Sequence, residues 1–338
     1  MVMAALQWPN LPSASRFAPT PTGNLHLGNA RTALLAWLAG RSAGLRNVLR
    51  IEDLDPRAMP PGCLENQLAD LTWLGLTYDE GLLEGGPAGP YRQSQRAGLH
   101  LDALNHLNQL GVLYPCWCSR KEVRAAHRAP HASDEGPVYT GTHRPQRPVV
   151  WEDLDDLPTE LGRRPALRLN VDLALATLGE DAIRFDDAIA GPQRFDLRET
   201  MGDFVVRRVD GIVAYQVACA IDDVLMGCRL VLRGSDLLAS TARQILILRL
   251  LDLEVPQYAH AGLVTDHQGQ RLAKRDGAIA LRTLRANGVE AAVVRAHLAE
   301  ISGLPFAGDL PFLAATFDLK RVPAGSVALP AVGPWVGA

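Results

Sequence analysis

The 338-residue sequence is short of several features that would direct it elsewhere. It has no apolar run that suggests a membrane span, and its start, MVMAALQWPNLPS, carries no basic stretch ahead of its short apolar run, so a secretory leader is not expected. Cysteine is sparse: Cys63, Cys116, Cys118, Cys219 and Cys228 are an odd, scattered set, which argues against a disulfide framework and for a reducing, cytoplasmic setting. Positive charge is not in excess either. A formal net charge of −3 excludes indiscriminate nucleic-acid binding, although a local basic surface would be enough to steer a polyanion. What is present is ordinary for a globular protein, 47% hydrophobic and 21% charged residues, in a chain long enough for two domains or one domain with an insertion.

The stretch RFAPTPTGNLHLGNARTALL, residues 16–35, organises the reading. A short strand-like run (Arg16, Phe17, Ala18) breaks at Pro19, Pro21 and Gly23 and enters a helix expected over Ala30–Gly40. A helix entered from such a loop offers unpaired N–H groups and a positive dipole end to a phosphate. His26 and Asn29 stand at that entrance, where an imidazole and a carboxamide can hydrogen-bond phosphate oxygens as charge builds up on them. A Pro-rich loop capped by ordinary polar residues is the plainer alternative.

Further on, NVLRI (residues 47–51) reads as a buried parallel strand, with EDLDPR at its C-terminal end, the side where open α/β sheets bind ligands. Glu52, Asp53 and Asp55 are placed there to meet a cationic group, or else form a solvated acidic turn. Amphipathic helices are expected over residues 63–76 and 97–111, separated by the Gly/Pro-rich loop EGGPAGPYRQSQR. Cys116-x-Cys118 puts two thiolates within reach of one ion. His127, His131 and His143 follow as possible partners, and two buried, metal-free cysteines are the alternative. Residues 149–187 are polar and acidic, with one strand-like piece at ALRLNV.

A second βα pattern begins at GDFVVRRVDGIVAYQVACAIDDVLMG, where Asp210-Gly211 favours a tight hairpin turn and Tyr215 leads a helix. RLVLRGSDLLASTARQILILRLL reads as strand, turn and helix, with Ser235 or Asp236 as the cap. Arg233, at the C-terminal end of that strand, is a fork suited to a carboxylate. HAGLV then leads to the basic run QRLAKRDGAI, and after it come two helices around residues 291–301 and a poorly patterned Pro/Gly-rich tail.

These motifs together resemble the glutamate-activating class I aminoacyl-tRNA synthetases. RFAPTPTGNLHLGN is similar to the RFAPSPTG-x-LH-x-G form of their HIGH signature, with Asn29 where the last His would stand; RIED, GPYRQSQR and VLRGSDLL are similar to segments of the same family. Arg271-Leu272-Ala273-Lys274-Arg275 stands where the family has its mobile KMSKS loop, with Lys274 matching the second Lys. The resemblance implies an α/β fold: a Rossmann-type parallel sheet whose first half lies in residues 1–110, an inserted acceptor-facing lobe in 111–200, the second half in 201–285, and a short helical remnant in 286–338 with no anticodon-binding domain.

It implies that glutamate is bound by Arg16, Phe17, Ala18, Pro19, Thr20, Glu52, Tyr215 and Arg233. ATP with Mg²⁺ would be handled by His26, Gly28, Asn29 and Lys274, of which His26, Asn29 and Lys274 are catalytic. Zn²⁺ would be held by Cys116, Cys118, Tyr139 and His143, the last standing where the relevant branch usually has Cys. That branch is truncated and activates glutamate without tRNA before loading it onto queuosine in tRNA(Asp); a monomer with no membrane partner is expected. A truncated enzyme that charges the 3′ end of a tRNA, or a catalytically silent RNA-binding paralogue, would share the motifs.

Overall fold

The computed structural model describes residues 11–125, 138–139, 141–160, 162–266, 269–270, 280–330 and 333. Its first elements are β1 (Ala14–Phe17), α1 (Leu27–Ser42), β2 (Arg46–Leu49), α2 (Cys63–Trp73), β3 (Glu80–Gly81) and α3 (Ala97–Gln109). Next come β4 (Leu113–Cys116), α4 (Arg120–Ala125), β5 (Ala166–Leu169), α5 (Val171–Leu178), β6 (Ile183–Asp187), β7 (Gly191–Phe195), α6 (Leu197–Thr200) and β8 (Phe204–Arg207). The chain continues through α7 (Tyr215–Leu225), β9 (Cys228–Gly234), α8 (Leu238–Leu250), β10 (Gln257–Ala261), β11 (Val264–Thr265), α9 (Leu281–Ala286), α10 (Ala291–Glu300), α11 (Leu310–Thr316) and β12 (Val327–Ala328). No helix among the described residues is long and apolar enough to cross a membrane.

Five strands form one sheet in the order β10-β9-β1-β2-β3, every pair parallel. The chain leaves β1 toward β2 on one side and returns as β9 on the other, so the order reverses at β1. Alternate strand residues face opposite ways. Val48, Val231 and Tyr258 enter one hydrophobic core with α3, α7 and α8, while Phe17, Leu49 and Leu232 enter a second with α1, α2, α10 and α11. The sheet is covered on both faces, so even the polar residues of its strands, among them Ser15, Arg16, Asn47 and His260, are buried.

Helix α1 is buried nearly all round over residues 33–40, as the apolar stretch ALLAWLAG requires. It starts at Leu27, earlier than the expected Ala30, because His26 serves as its N-cap. Between β3 and α7 lies the insertion. Its β4, β5 and β8 make an antiparallel sheet that shares the first core, and β6 and β7 form a separate hairpin. The Asp210-Gly211 turn is present: Arg208 N donates to Ile212 O at 2.9 Å, and Gly211 has the positive φ (86°) that such a turn needs.

Two expectations need correction. Ser235 and Asp236 lie in a single 3₁₀ turn ahead of α8, whose N-cap position is Leu237, and that helix has no side-chain cap. The tail after residue 301 is also more ordered than its composition suggests, since it supplies α11 and β12, and β12 pairs in parallel with β11.

Candidate active site

A cavity of about 430 Å³ opens at the C-terminal ends of β1 and β9, where the strand order reverses. Arg16, Phe17, Ala18, Pro19, Thr20, His26, Gly28, Asn29, Glu52, Tyr215 and Arg233 all line it. Lys274, with Arg271, Ala273 and Arg275 around it, lies outside the described residues, as do His127 and His131. Described residues flank the segment that carries Lys274 on both sides. Before it, Asp266 and Gln270 close a turn after β11, and after it Ala280 forms a β-bridge with His26 while Leu281 N donates to Leu25 O at 2.9 Å.

The start of α1 shows why His, Gly and Asn occur at this spacing. Gly28 N donates to His26 Nδ1 at 3.1 Å, and His26 N donates to Asn29 Oδ1 at 3.3 Å. A neutral imidazole that accepts at Nδ1 carries its hydrogen on Nε2, and an amide that accepts at Oδ1 keeps Nδ2 as its donor end. The capping box thus leaves both side chains as donors at a helix N-terminus, which is what a phosphate requires. A β-carbon on Gly28 would come within 2.9 Å of the His26 ring, so the glycine makes room for the imidazole to fold back.

Around Arg16 and Glu52, the charges are held by Asp223 and Arg50, neither of them an expected site residue. Arg16 donates to both carboxylate oxygens of Asp223 (3.1 and 3.4 Å), and Arg50 donates to Asp223 Oδ1 at 2.6 Å and to Glu52 Oε1 at 3.1 Å. Arg50 and Asp223 are completely buried. Burial alone would raise the Asp223 pKa, but Arg16 and Arg50 outweigh it and bring it down to about 2. For Glu52, burial prevails over Arg50 and Arg16 and its pKa is raised. Burial likewise raises that of Tyr215, which stays a neutral hydroxyl.

Arg233 is used differently from the two-pronged carboxylate fork expected of it. Its Nε donates to His260 Nε2 at 3.1 Å, and its Nη2 donates to Thr241 Oγ1 and Gln244 Oε1 at 2.6 and 2.7 Å. Only Nη1, 3.9 Å from the Cys219 sulfur, is left with a weak partner. The acidic trio after β2 also divides. Glu52 alone lines the cavity; Asp53 accepts from Ser94 N and Oγ at 3.0 and 2.9 Å, and Asp55 pairs with Arg57 and Arg208. The GPYRQSQR segment holds the far side of α7, with Gln93 and Arg96 donating to Asp222 at 2.8 and 2.6 Å.

In the inserted lobe, Cys116, Cys118 and His143 bring their ligand atoms within 4.8 Å of one another. Tyr139 Oη lies 3.3 Å from the Cys116 sulfur and 3.5 Å from His143 Nδ1, with the Arg168 guanidinium 3.8 Å above its ring. Gly202 bridges to Tyr139 at φ 61°, and a β-carbon there would meet the Tyr139 carbonyl oxygen at 2.8 Å.

The family described as "tRNA synthetases class I (E and Q), catalytic domain" matches residues 14–310. The chain belongs to this class I synthetase family. It is 49% identical to the "Glutamyl-Q tRNA(Asp) synthetase" of Symbiobacterium thermophilum over 94% of its own length and 95% of that protein's. It is 45% identical to the protein of the same name from Nitratidesulfovibrio vulgaris, over 86% of each chain. The crystal structure of glutamate-tRNA synthetase from Elizabethkingia anophelis is similar in fold, with a TM-score of 0.77 and 25% identity, over 95% of this chain and 68% of that one. The synthetase is therefore an ATP-dependent ligase, and its parallel sheet is the class I nucleotide-binding sheet.

Proposed function

We propose that the synthetase activates glutamate with ATP in the absence of tRNA and then passes the glutamyl group to queuosine in the anticodon of tRNA(Asp). The observation that carries this reading is the convergence in one cavity of two arginines, a carboxylate and a tyrosine with the helix-end donors His26 and Asn29. Glutamate carries two carboxylates and one ammonium. Arg16, Arg233 and Tyr215 suit the former and Glu52 the latter, while the backbone from Phe17 to Thr20 forms the wall between them. The choice of acceptor is supported by the names of the two relatives that match this chain across most of their length.

In the first step, an oxygen of the α-carboxylate attacks the α-phosphorus of ATP. The bond to the bridging oxygen breaks, and pyrophosphate leaves with the electron pair; Mg²⁺, brought with ATP, would offset the charge of the phosphates. His26 Nε2–H and the Asn29 amide donate to phosphate oxygens as their charge grows. Lys274 belongs to this set by its place in the chain. It lies six residues before Ala280, which bridges to His26, and six residues reach at most about 22 Å. In the second step, a ring hydroxyl of queuosine attacks the carbonyl carbon of the mixed anhydride and AMP departs. Positioning and electrostatics supply the rate, since no covalent enzyme intermediate forms.

Cys116, Cys118, Tyr139 and His143 would hold Zn²⁺ in the lobe, and two thiolates with an imidazole are a suitable donor set. The ion would supply a structural crosslink there. The likeness to glutamate-tRNA synthetase favours one other reading, glutamate transfer to the 3′ end of a tRNA. Charging of tRNA(Asp) with labelled glutamate, with and without the queuosine base, separates the two. Label on the modified tRNA alone is expected. Equal label on both excludes queuosine as the acceptor.

A further inference from the structure

His260 is fully buried beside the cavity and takes no part in the steps above. Its Nδ1 lies 2.6 Å from Asp187 Oδ2, and its Nε2 lies 3.1 Å from Arg233 Nε, which donates to it. We propose that Asp187 and His260 form a relay that positions the Arg233 guanidinium for a glutamate carboxylate, so that the inserted lobe helps to set the affinity of the amino-acid pocket. The inference rests on the assignment of Arg233 to glutamate.

Hydrogen-bond directions fix the tautomer. A carboxylate only accepts, so the hydrogen between Asp187 and His260 belongs to Nδ1. A neutral imidazole then has its lone pair on Nε2, and that lone pair faces the Arg233 Nε–H at 3.1 Å and the Thr241 hydroxyl at 2.9 Å. With Nε held there and Nη2 held by Thr241 and Gln244, the guanidinium cannot rotate, and Nη1 is left for a ligand. Protonation of His260 would set two N–H donors against each other. The groups facing the ring are Asp187 from β6, Arg233 from β9, Thr241 from α8, Arg16 from β1 and the stacked Tyr258 of its own strand. Burial, with the arginines, outweighs Asp187 and lowers the His260 pKa, which keeps the ring neutral.

Asp187 is itself held by the backbone. Its Oδ1 accepts from the backbone N–H groups of Ile189, Ala190 and His260 at 2.8–3.0 Å. It ends β6 of the β6–β7 hairpin, which lies along the outer edge of β10, where Ala188 N donates to Tyr258 O at 2.8 Å. A movement of the hairpin thus reaches Arg233 through two hydrogen bonds.

The test compares the wild type with His260→Leu and His260→Gln, since a Gln side chain returns an acceptor to Arg233 and Leu does not. In ATP–pyrophosphate exchange, His260→Leu is expected to raise KM for glutamate by about tenfold, the scale of one lost charge-assisted hydrogen bond, with KM for ATP near wild type and a lowered thermal midpoint, since Asp187 and Arg233 each lose a buried partner. His260→Gln restores most of the loss. An equal rise in both KM values, or a Gln variant no better than Leu, overturns the relay. The imidazole ¹⁵N signals of His260 provide a readout that does not depend on turnover: a hydrogen on Nδ1 agrees with the relay, and a hydrogen on Nε2 overturns it. Absence of glutamate-dependent exchange in the wild type strikes instead at the proposed function.

Discussion

Asp223 is the residue that balances the positive charge of the pocket. It stands between Arg16 and Arg50 with no exposed surface, and replacing one partner of such a buried group leaves the others uncompensated. Asp223→Asn is expected to destabilise the fold by about 3–5 kcal/mol in urea unfolding. A carboxylate whose folded pKa is depressed contributes stability above its unfolded value, about 3.9, and loses it as the pH falls through the folded value. With Asp223 brought down to about 2, the gap between wild type and variant is full near neutrality and narrows on acidification below pH about 4. A gap independent of pH would contradict the ion-pair account. At this scale the sequence marked residues that line the cavity and not those that hold them. Arg16, His26, Glu52 and Arg233 stand next to strand ends and glycines, where local pattern marks them. Arg50, Asp223 and His260 carry no such local mark, and the pairings Arg16–Asp223, Arg50–Asp223 and Arg233–His260 join residues 27 or more positions apart.

Elements carry the next layer. Strand β12 pairs with β11 next to the cavity, where Gly262 and Val264 are lining residues and Gly262 N donates to Pro323 O at 2.9 Å; on the proposed function this wall is the ATP side. A β-carbon on Gly262 would overlap the Gly325 carbonyl. Gly262→Ala is therefore expected to push β12 away, raise KM for ATP several-fold and leave KM for glutamate close to wild type. A change confined to glutamate would refute this division of the cavity. In the lobe, purified protein is expected to carry about one zinc per chain by elemental analysis, and Cys116→Ser to lose it. Full zinc content in that variant would show that the ion sits elsewhere. Most helices and strands were legible because their apolar spacing is local. The role of β12 was not, because two residues without period become a strand only when β11 is beside them. The cap of α8 was misjudged for a related reason: Ser235 and Asp236 belong to a 3₁₀ turn that precedes the helix.

For the whole molecule, the governing fact is the reversal of strand order at β1. It opens a crevice between β1 and β9, and it brings together chain segments about 200 residues apart, so that Arg16 and Arg233 share one cavity. The doubly wound sheet and its insertion could be anticipated from the βα alternation and the family motifs. The packing of lobe against sheet could not, since it depends on which face each strand residue takes.

The most direct test of the account is glutamate-dependent exchange of pyrophosphate into ATP by the purified synthetase with no tRNA present. The account predicts exchange that requires glutamate and is lost in His26→Ala. Exchange that appears only after tRNA is added, or that is indifferent to glutamate, would contradict it.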